Sequence, residues 1–406
     1  MDILPILATL KRHKTAAGLI VLQIALTCAI VCNALFLIMQ RLDKINEPSG
    51  LADQEIVTLR MSGIGPIQNE DALTRADLLA LRALPGVKEA TLLNQFPFGD
   101  SMQVSTMRWQ PKSDGGGVDA SMYKASEGWL KATGLRLVAG RDFEAGEYQN
   151  QSDLDKSADA GIPAVILNRA MAKRMFPKGD ALGQVIYGFG EKPIRVVGLI
   201  DTLVSAQPGG KDEALSYNMV LPVRASFRSG TYLLRTEPDK RDEVLKAAAL
   251  ALNKSGPNRI KSESKRLEDY RERYYRQDRS MINLLAAVCL ALLMVTAFGI
   301  VGLASFWVQQ RTRMIGTRRA LGATRGQILR YFQIENFILS TIGIALGMIA
   351  AYGISLMLMR SYALPPLPLA FLPVGSLLLW GLGQLAVWVP ARRAAALPPV
   401  AALRGA

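Results

Sequence analysis

The chain has 406 residues, half of them hydrophobic, and carries 48 Lys and Arg against 34 Asp and Glu, a formal charge of +14. From Arg41 to Ser280 the balance is nearly even, 35 basic against 32 acidic residues, whereas the other 166 residues hold 13 basic residues against two acids, Asp2 and Glu335. That distribution excludes a nucleic-acid surface as the source of the charge, and one histidine, His13, with three cysteines, Cys28, Cys32 and Cys289, leaves no catalytic triad, zinc site or disulfide-stapled scaffold.

In chain order, Lys11, Arg12 and Lys14 precede Ala16 to Met39, 24 residues without a charge. About 20 apolar residues cross a bilayer core, so residues 1–40 read as a cytoplasmic N-terminus and a transmembrane helix. The run is too long for the core of a signal peptide, and Gln40-Arg41 offers no small-residue cleavage pattern. Cys28 and Cys32 share a helix face, and with no further Cys or His beside them they read as small buried apolar residues.

Residues 41–264 read as a large extracytoplasmic α/β domain of two subdomains. Glu55 to Arg60 and Glu89 to Leu93 look like strands, and Thr74 with Asp77 three residues on predicts a capped helix start, with the helix running to Leu84 before Pro85-Gly86. Ser126 is expected to cap a short helix ending at Gly134. Pro163 to Leu167 predicts a buried strand, followed by a helix capped by Asn168 and ending near Pro177. Further strands are expected at Val185 to Tyr187, Ile194 to Ile200, Met219 to Leu221 and Tyr232 to Arg235, and a helix from Pro238 to about Asn253. The polar stretches Pro111 to Asp119 and Glu144 to Ala160 read as loops or an inserted lobe.

Residues 265–310 combine a stalk with a second membrane helix. Leu267, Tyr270, Tyr274, Gln277, Met281 and Leu284 recur at spacings of three and four, a short coiled-coil seam. An unbroken helix from Lys265 to Gln310 would reach roughly 69 Å at 1.5 Å per residue, so it is expected to stand out of the membrane. The charge-free run Met281 to Val308 lies inside it.

Residues 311–332 hold six arginines between the second and third runs and read as a cytoplasmic loop followed by an interfacial helix with Ile328, Leu329 and Phe332 on its apolar face. Residues 333–389 contain the third and fourth runs, Ile334 to Met359, whose only acid is Glu335, and Leu369 to Val389, joined by a hairpin around Leu364-Pro365-Pro366. Gly343 and Gly347 make a small-xxx-small pair suited to close helix contact. Residues 390–406 form a tail containing Arg392, Arg393 and Arg404. Arg360 apart, the basic residues outside the large block therefore flank the runs on one side, which places the loop and both termini inside the cell and the large domain outside.

The string Arg311 to Thr324, RTRMIGTRRALGAT, resembles the membrane-proximal segment of FtsX-like, MacB-type ABC permeases. The match covers Arg311, Ile315, Gly316, Arg318, Arg319, Ala320, Leu321, Gly322, Ala323 and Thr324; Met314 stands where the family usually has Glu. Pro390 to Arg404 is similar to the family's cytoplasmic tail, with Ala396, Pro398 and Ala401 at commonly polar positions. WLKATGLRLVAGRDF at Trp129 to Phe143 and ILNRAMAKRMFPKGDALGQ at Ile166 to Gln184 are similar to phrases of MacB-type periplasmic domains.

The resemblance implies a permease subunit of the inner (plasma) membrane, with four transmembrane helices and a periplasmic α/β domain, transmitting ATPase motion to that domain to drive export or efflux. Arg311, Arg313, Ile315, Gly316, Arg318, Arg319, Ala320, Leu321, Gly322, Ala323 and Thr324 are the expected ATPase-coupling residues, with Pro390, Arg392 and Arg393 in the tail and Leu267, Tyr270, Tyr274 and Met281 along the stalk seam. Fixed charge beside small residues suits docking into an acidic groove, and Thr324 is placed to cap the next helix. The chain carries no G-x-x-x-x-G-K-[ST] loop, so no cofactor or metal is expected in it. ATP and Mg would belong to a cytoplasmic ATPase dimer. The other expected partners are a second permease chain, identical or homologous, membrane lipids, and a membrane-fusion adaptor with an outer-membrane channel. Two other functions share this architecture and stay open: lipoprotein extraction, and regulation of cell-wall hydrolases in the manner of FtsX.

Overall fold

The computed structural model describes residues 14–111, 116–157, 161–208, 216–256, 258–362 and 367–396. The chain divides into two compact units, one formed by Met1–Ile45 with Gln277–Ala406 and the other by Asn46–Arg276. The first helix, α1 (Lys14–Asn46), outlasts its apolar run by two turns at the C-terminal end.

In the Asn46–Arg276 unit, β1 (Ile56–Gly63) buries four consecutive residues, Ile56 to Leu59, as a strand covered on both faces does. It is followed by α2 (Glu70–Arg82) and β2 (Val87–Leu93). Three strands not anticipated from sequence come next, β3 (Val104–Met107), β4 (Val118–Lys124) and, after α3 (Trp129–Thr133), β5 (Leu137–Gly140). The short β6 (Gln149–Asn150) and α4 (Gln151–Lys156) give structure to the stretch read as a loop or lobe. Then follow β7 (Ala164–Asn168), α5 (Arg169–Met175), β8 (Val185–Ile186), β9 (Ile194–Ile200), β10 (Asn218–Leu221), β11 (Val223–Arg224) and β12 (Thr231–Thr236). The unit ends with α6 (Arg241–Ser255), β13 (Arg259–Arg266) and α7 (Leu267–Tyr274).

Two larger sheets organise these elements, besides the two-stranded pair β11-β6. One is antiparallel, in the order β13-β1-β12-β2, and the other is mixed, β3-β4-β10-β7-β9-β5 with β8 against β9. Leu78 and Leu81 of α2 and Val244, Ala248 and Leu252 of α6 close the core of the first. Met171, Ala172 and Met175 of α5 close that of the second. The two cores are the two subdomains.

Several local expectations are corrected here. Thr74 is not a helix cap: α2 begins a turn earlier, the Thr74 hydroxyl donates to the Glu70 carbonyl at 2.8 Å, and Asp77 is fully buried. Asp77 instead faces Arg259, whose Nη2 donates to Oδ1 at 3.0 Å, and accepts hydrogen bonds from the Ser255 hydroxyl at 2.7 Å and the Tyr232 phenol. Burial, and then the Asp77 charge, push the Tyr232 phenol well above its ordinary pKa and keep it a donor. Ser126 is buried, and Gly128, at positive φ, occupies the position before α3. Gly134 does end that helix in a left-handed conformation, its N–H donating to the Leu130 carbonyl. Asn168 caps α5, accepting from the Met171 N–H at 3.0 Å.

The long stalk helix is interrupted at both of its ends in the domain. Lys265 and Arg266 belong to β13, paired with Thr58 and Val57 of β1, so the helix starts only at Leu267, where the Asp269 carboxylate takes the Arg266 N–H. Leu267 and Tyr270 are buried within the domain, Tyr270 edge-on to Phe96 at 4.9 Å, so they pack into its core and not along a free seam. Tyr275 leaves helical geometry and packs against Phe98 at 5.7 Å.

The other unit continues with α8 (Arg276–Gln310), α9 (Thr312–Ala320), α10 (Arg325–Tyr362) and α11 (Phe371–Ala396). Of the seam residues that fall on α8, Met281 is half-buried and Leu284 is exposed. The helices α1, α8, α10 and α11 are long and apolar enough to cross a membrane. Gly343 and Gly347 of α10 let α1 approach closely: a Cβ at either would lie within 3.0 Å of Ile24 and Cys28 atoms. Cys28 is fully buried in that contact, and Cys32, one turn on, is fully buried against Gly375 of α11. Thr27 and Thr296 exchange a hydroxyl bond at 2.8 Å between α1 and α8, and Asn33 donates to the Ala351 carbonyl at 3.0 Å. His13, the hairpin at Leu364-Pro365-Pro366 and Pro398, Ala401 and Arg404 lie outside the described residues.

Candidate functional site

The Arg311 to Thr324 string folds as a helix, a tight turn and a second helix start. At the end of α9 the Gly322 N–H donates to the Arg319 carbonyl at 3.1 Å and the Ala323 N–H to the Arg318 carbonyl at 2.9 Å. With Gly322 at φ +96° this is a Schellman stop. Among the described residues no atom beyond its immediate chain neighbours lies within 4 Å of a Cβ built on Gly322, so glycine serves the left-handed backbone and not a close approach. Two residues later Thr324 starts α10. Its Oγ1 accepts from the Gln327 N–H at 3.3 Å while the Gln327 side chain accepts from the Thr324 N–H at 2.9 Å, a reciprocal capping box.

The predicted residues divide between an exposed tip and a buried base. Arg313, Arg318, Ala320, Leu321, Gly322 and Thr324 are exposed, Leu321 to 84 %, while Arg319 and Ala323 are half-buried. Ile315 and Gly316 are buried, Ile315 in one cluster with Ile328, Phe332 and Ala394. Residues 325–332, expected as a separate interfacial helix, are the first two turns of α10, with Ile328 and Phe332 buried in the same cluster as Ile315.

Arg311 likewise does not face solvent. Its Nη1 donates to both Glu335 oxygens, at 2.8 and 3.0 Å, and its guanidinium sits 5.4 Å over the Trp307 ring. Both side chains are almost wholly buried, so each charge is neutralised by the other. Arg319 Nη1 donates at 2.8 Å to the Ala395 carbonyl in the last turn of α11, where a cation complements unpaired carbonyls. Arg318 lies 5.0 Å over the Tyr331 ring. The tail residues Pro390, Arg392 and Arg393 belong to α11, which runs to Ala396, with both arginines exposed. Sequence reasoning missed Glu335, Trp307 and Tyr331 as partners. The signal for Glu335 was present, since a lone carboxylate in an apolar run needs a cation.

Residues 18–252 match the family model of the MacB-like periplasmic core domain, more than half of the chain, and residues 286–399 match that of the FtsX-like permease C-terminal region. The chain belongs to the MacB-type, FtsX-like ABC transporter permeases. This permease is 25 % identical over 341 residues to an uncharacterized ABC transporter permease, YknZ, of Bacillus subtilis, covering 82 % of this chain and 80 % of YknZ. It is 26 % identical over 300 residues to the macrolide export ATP-binding/permease protein MacB of Chromobacterium violaceum, covering 70 % of this chain and 43 % of that protein, so the chain spans less than half of that relative's length. A crystal structure of the extracellular domain of the noncanonic ABC-type transporter YknZ from Gram-positive bacteria covers 51 % of this chain and 100 % of its own, at 18 % identity and a TM-score of 0.32. This permease is thus a multi-pass membrane protein with a large extracellular α/β domain.

Proposed function

We propose that this chain is the membrane subunit of an exporter of the inner (plasma) membrane, its α/β domain in the periplasm. It takes up motion at α9 and α10 from a pair of cytoplasmic ATPases that bind the ATP and Mg, and passes it to that domain. Two permease chains stand side by side in this reading, and a membrane-fusion adaptor with an outer-membrane channel extends the route. The observation that carries it is the α9–turn–α10 tip: Leu321 is held in solvent at the corner of two capped helices, and Arg313 and Arg318 of α9 are exposed as well. An exposed leucine with exposed arginines in the preceding helix suits a pocket with an acidic rim. The base supports force transfer, because Ile315, Arg311 and Arg319 tie α9 to α10 and α11.

The name of the Chromobacterium relative supports the outward direction, and the match to the MacB-like core domain favours export over regulation of cell-wall hydrolases. In the test, the tagged chain is purified from membranes of its own cells and co-purifying proteins with a phosphate-binding loop are identified. Arg318→Glu combined with Leu321→Asp should abolish that co-purification while membrane insertion and melting stay at wild-type levels. Arg319 is left native because it holds α11. Undiminished co-purification by the double variant sinks the coupling role of the tip.

A further inference from the structure

A cavity of about 230 Å³ opens between the cytoplasmic ends of α8 and α11, lined by Ser305, Val308, Gln309, Thr312, Pro390 and Arg393. Its level is set by the sequence: the apolar run of α8 ends at Val308 and that of α11 at Val389, so the cavity straddles the boundary between acyl chains and headgroups. Trp388, with Arg392 stacked 5.1 Å over its ring, marks the same level, since tryptophan concentrates at that boundary. Ser305, Val308 and Pro390 form the wall on the apolar side. The Thr312 hydroxyl is spent on the Val308 and Gln309 carbonyls. That leaves the Gln309 amide and the Arg393 guanidinium as donors, and among the described residues neither side chain has a hydrogen bond or ion pair.

We infer that this cavity binds the phosphate of an anionic glycerophospholipid, with Arg393 and Gln309 donating to the phosphate and the acyl chains leaving along Val308. Beyond Asp278 the only acid is Glu335, and it is consumed by Arg311, so among the described residues no carboxylate is paired with Arg393. The volume is below that of a drug-sized pocket and suits a headgroup fragment. Basic pockets between transmembrane helices on the cytoplasmic side are where such headgroups are held.

The test uses the purified full chain in detergent, titrated with dioleoyl-phosphatidylglycerol or dioleoyl-phosphatidylcholine, with adducts counted by native mass spectrometry. The wild type should retain one phosphatidylglycerol in preference to phosphatidylcholine. Arg393→Gln should weaken that adduct about fivefold, and Ser305→Phe, which fills the apolar side without touching charge, should weaken it too. Arg325→Gln, at an exposed arginine outside the cavity, should leave it unchanged. Wild-type binding by Arg393→Gln overturns the assignment, as does equal weakening by Arg325→Gln, which would make the effect a property of the cationic surface. Displacement of the lipid by glycerol 1-phosphate would identify a free-phosphate site, and a cross-link from Val308→Cys to a second copy would put a protein there. Either outcome also overturns it.

Discussion

At the scale of single residues, the buried charges and one glycine decide most. Glu335→Ala leaves the Arg311 guanidinium without its partner in a buried position, a loss of about 3–5 kcal/mol. Melting of the purified protein should shift down by the largest amount of any single change in the membrane unit. Arg311→Leu with Glu335→Leu removes both charges and should melt within a few degrees of wild type; a double variant as unstable as Glu335→Ala would mean the pair does more than neutralise itself. Gly322→Ala forces a Cβ into φ +96°, which costs about 1–2 kcal/mol. Because the surroundings of Gly322 are open, the loss should appear as fraying of the α9 end, read as faster amide exchange at positions 322 and 323, with little change in global melting. In the extracellular unit, Asp77→Ala strands Arg259 in the same way, at about 3–5 kcal/mol, and should be the more damaging there because Ser255 and Tyr232 lose the same acceptor.

Among elements, legibility followed how far local chemistry alone determines structure. The four membrane runs, the buried strand β7 and the Asn168 cap of α5 were readable because each is specified by its own residues. The edge strand β13, RIKSESKR, was not readable. Five of its eight residues are charged, and it survives as a strand because only β1 pairs with it, leaving one side to solvent. Thr74 and Asp77 satisfied a capping pattern by spacing, while the Thr74 hydroxyl donates back to Glu70 and accepts from the distant Phe227 N–H, and Asp77 pairs with the distant Arg259. The α9–α10 turn was legible in outline, since Gly322 and Thr324 carry the stop and start signals themselves. Its anchoring was not, because Arg311–Glu335 and Arg319–Ala395 are tertiary contacts. Thr324→Ala tests the readable part: losing the cap should cost about 1 kcal/mol, detectable as loosened exchange across the first turn of α10 only.

For the whole molecule, two units with separate cores make a direct prediction. Residues 46–276 produced alone should unfold cooperatively in denaturant, and a broad, non-cooperative transition would show that the domain depends on its membrane unit. The departure at Met314, which sits half-buried on α9, bears on assembly. If it reflects pairing with a non-identical permease that keeps the Glu, this chain expressed with its ATPase alone should fail to form a stable complex, whereas a functional complex with two copies would exclude that pairing.

The Arg311–Glu335 pair also constrains how the protein is made. A carboxylate inside a transmembrane segment opposes entry into the bilayer by up to about 3 kcal/mol. Its neutralising arginine is only 24 residues upstream, at the far side of the preceding segment's end, so it has already left the ribosome when Glu335 reaches the translocon. The second and third membrane segments are therefore expected to integrate together as a hairpin, with the ion pair formed before either is released to lipid.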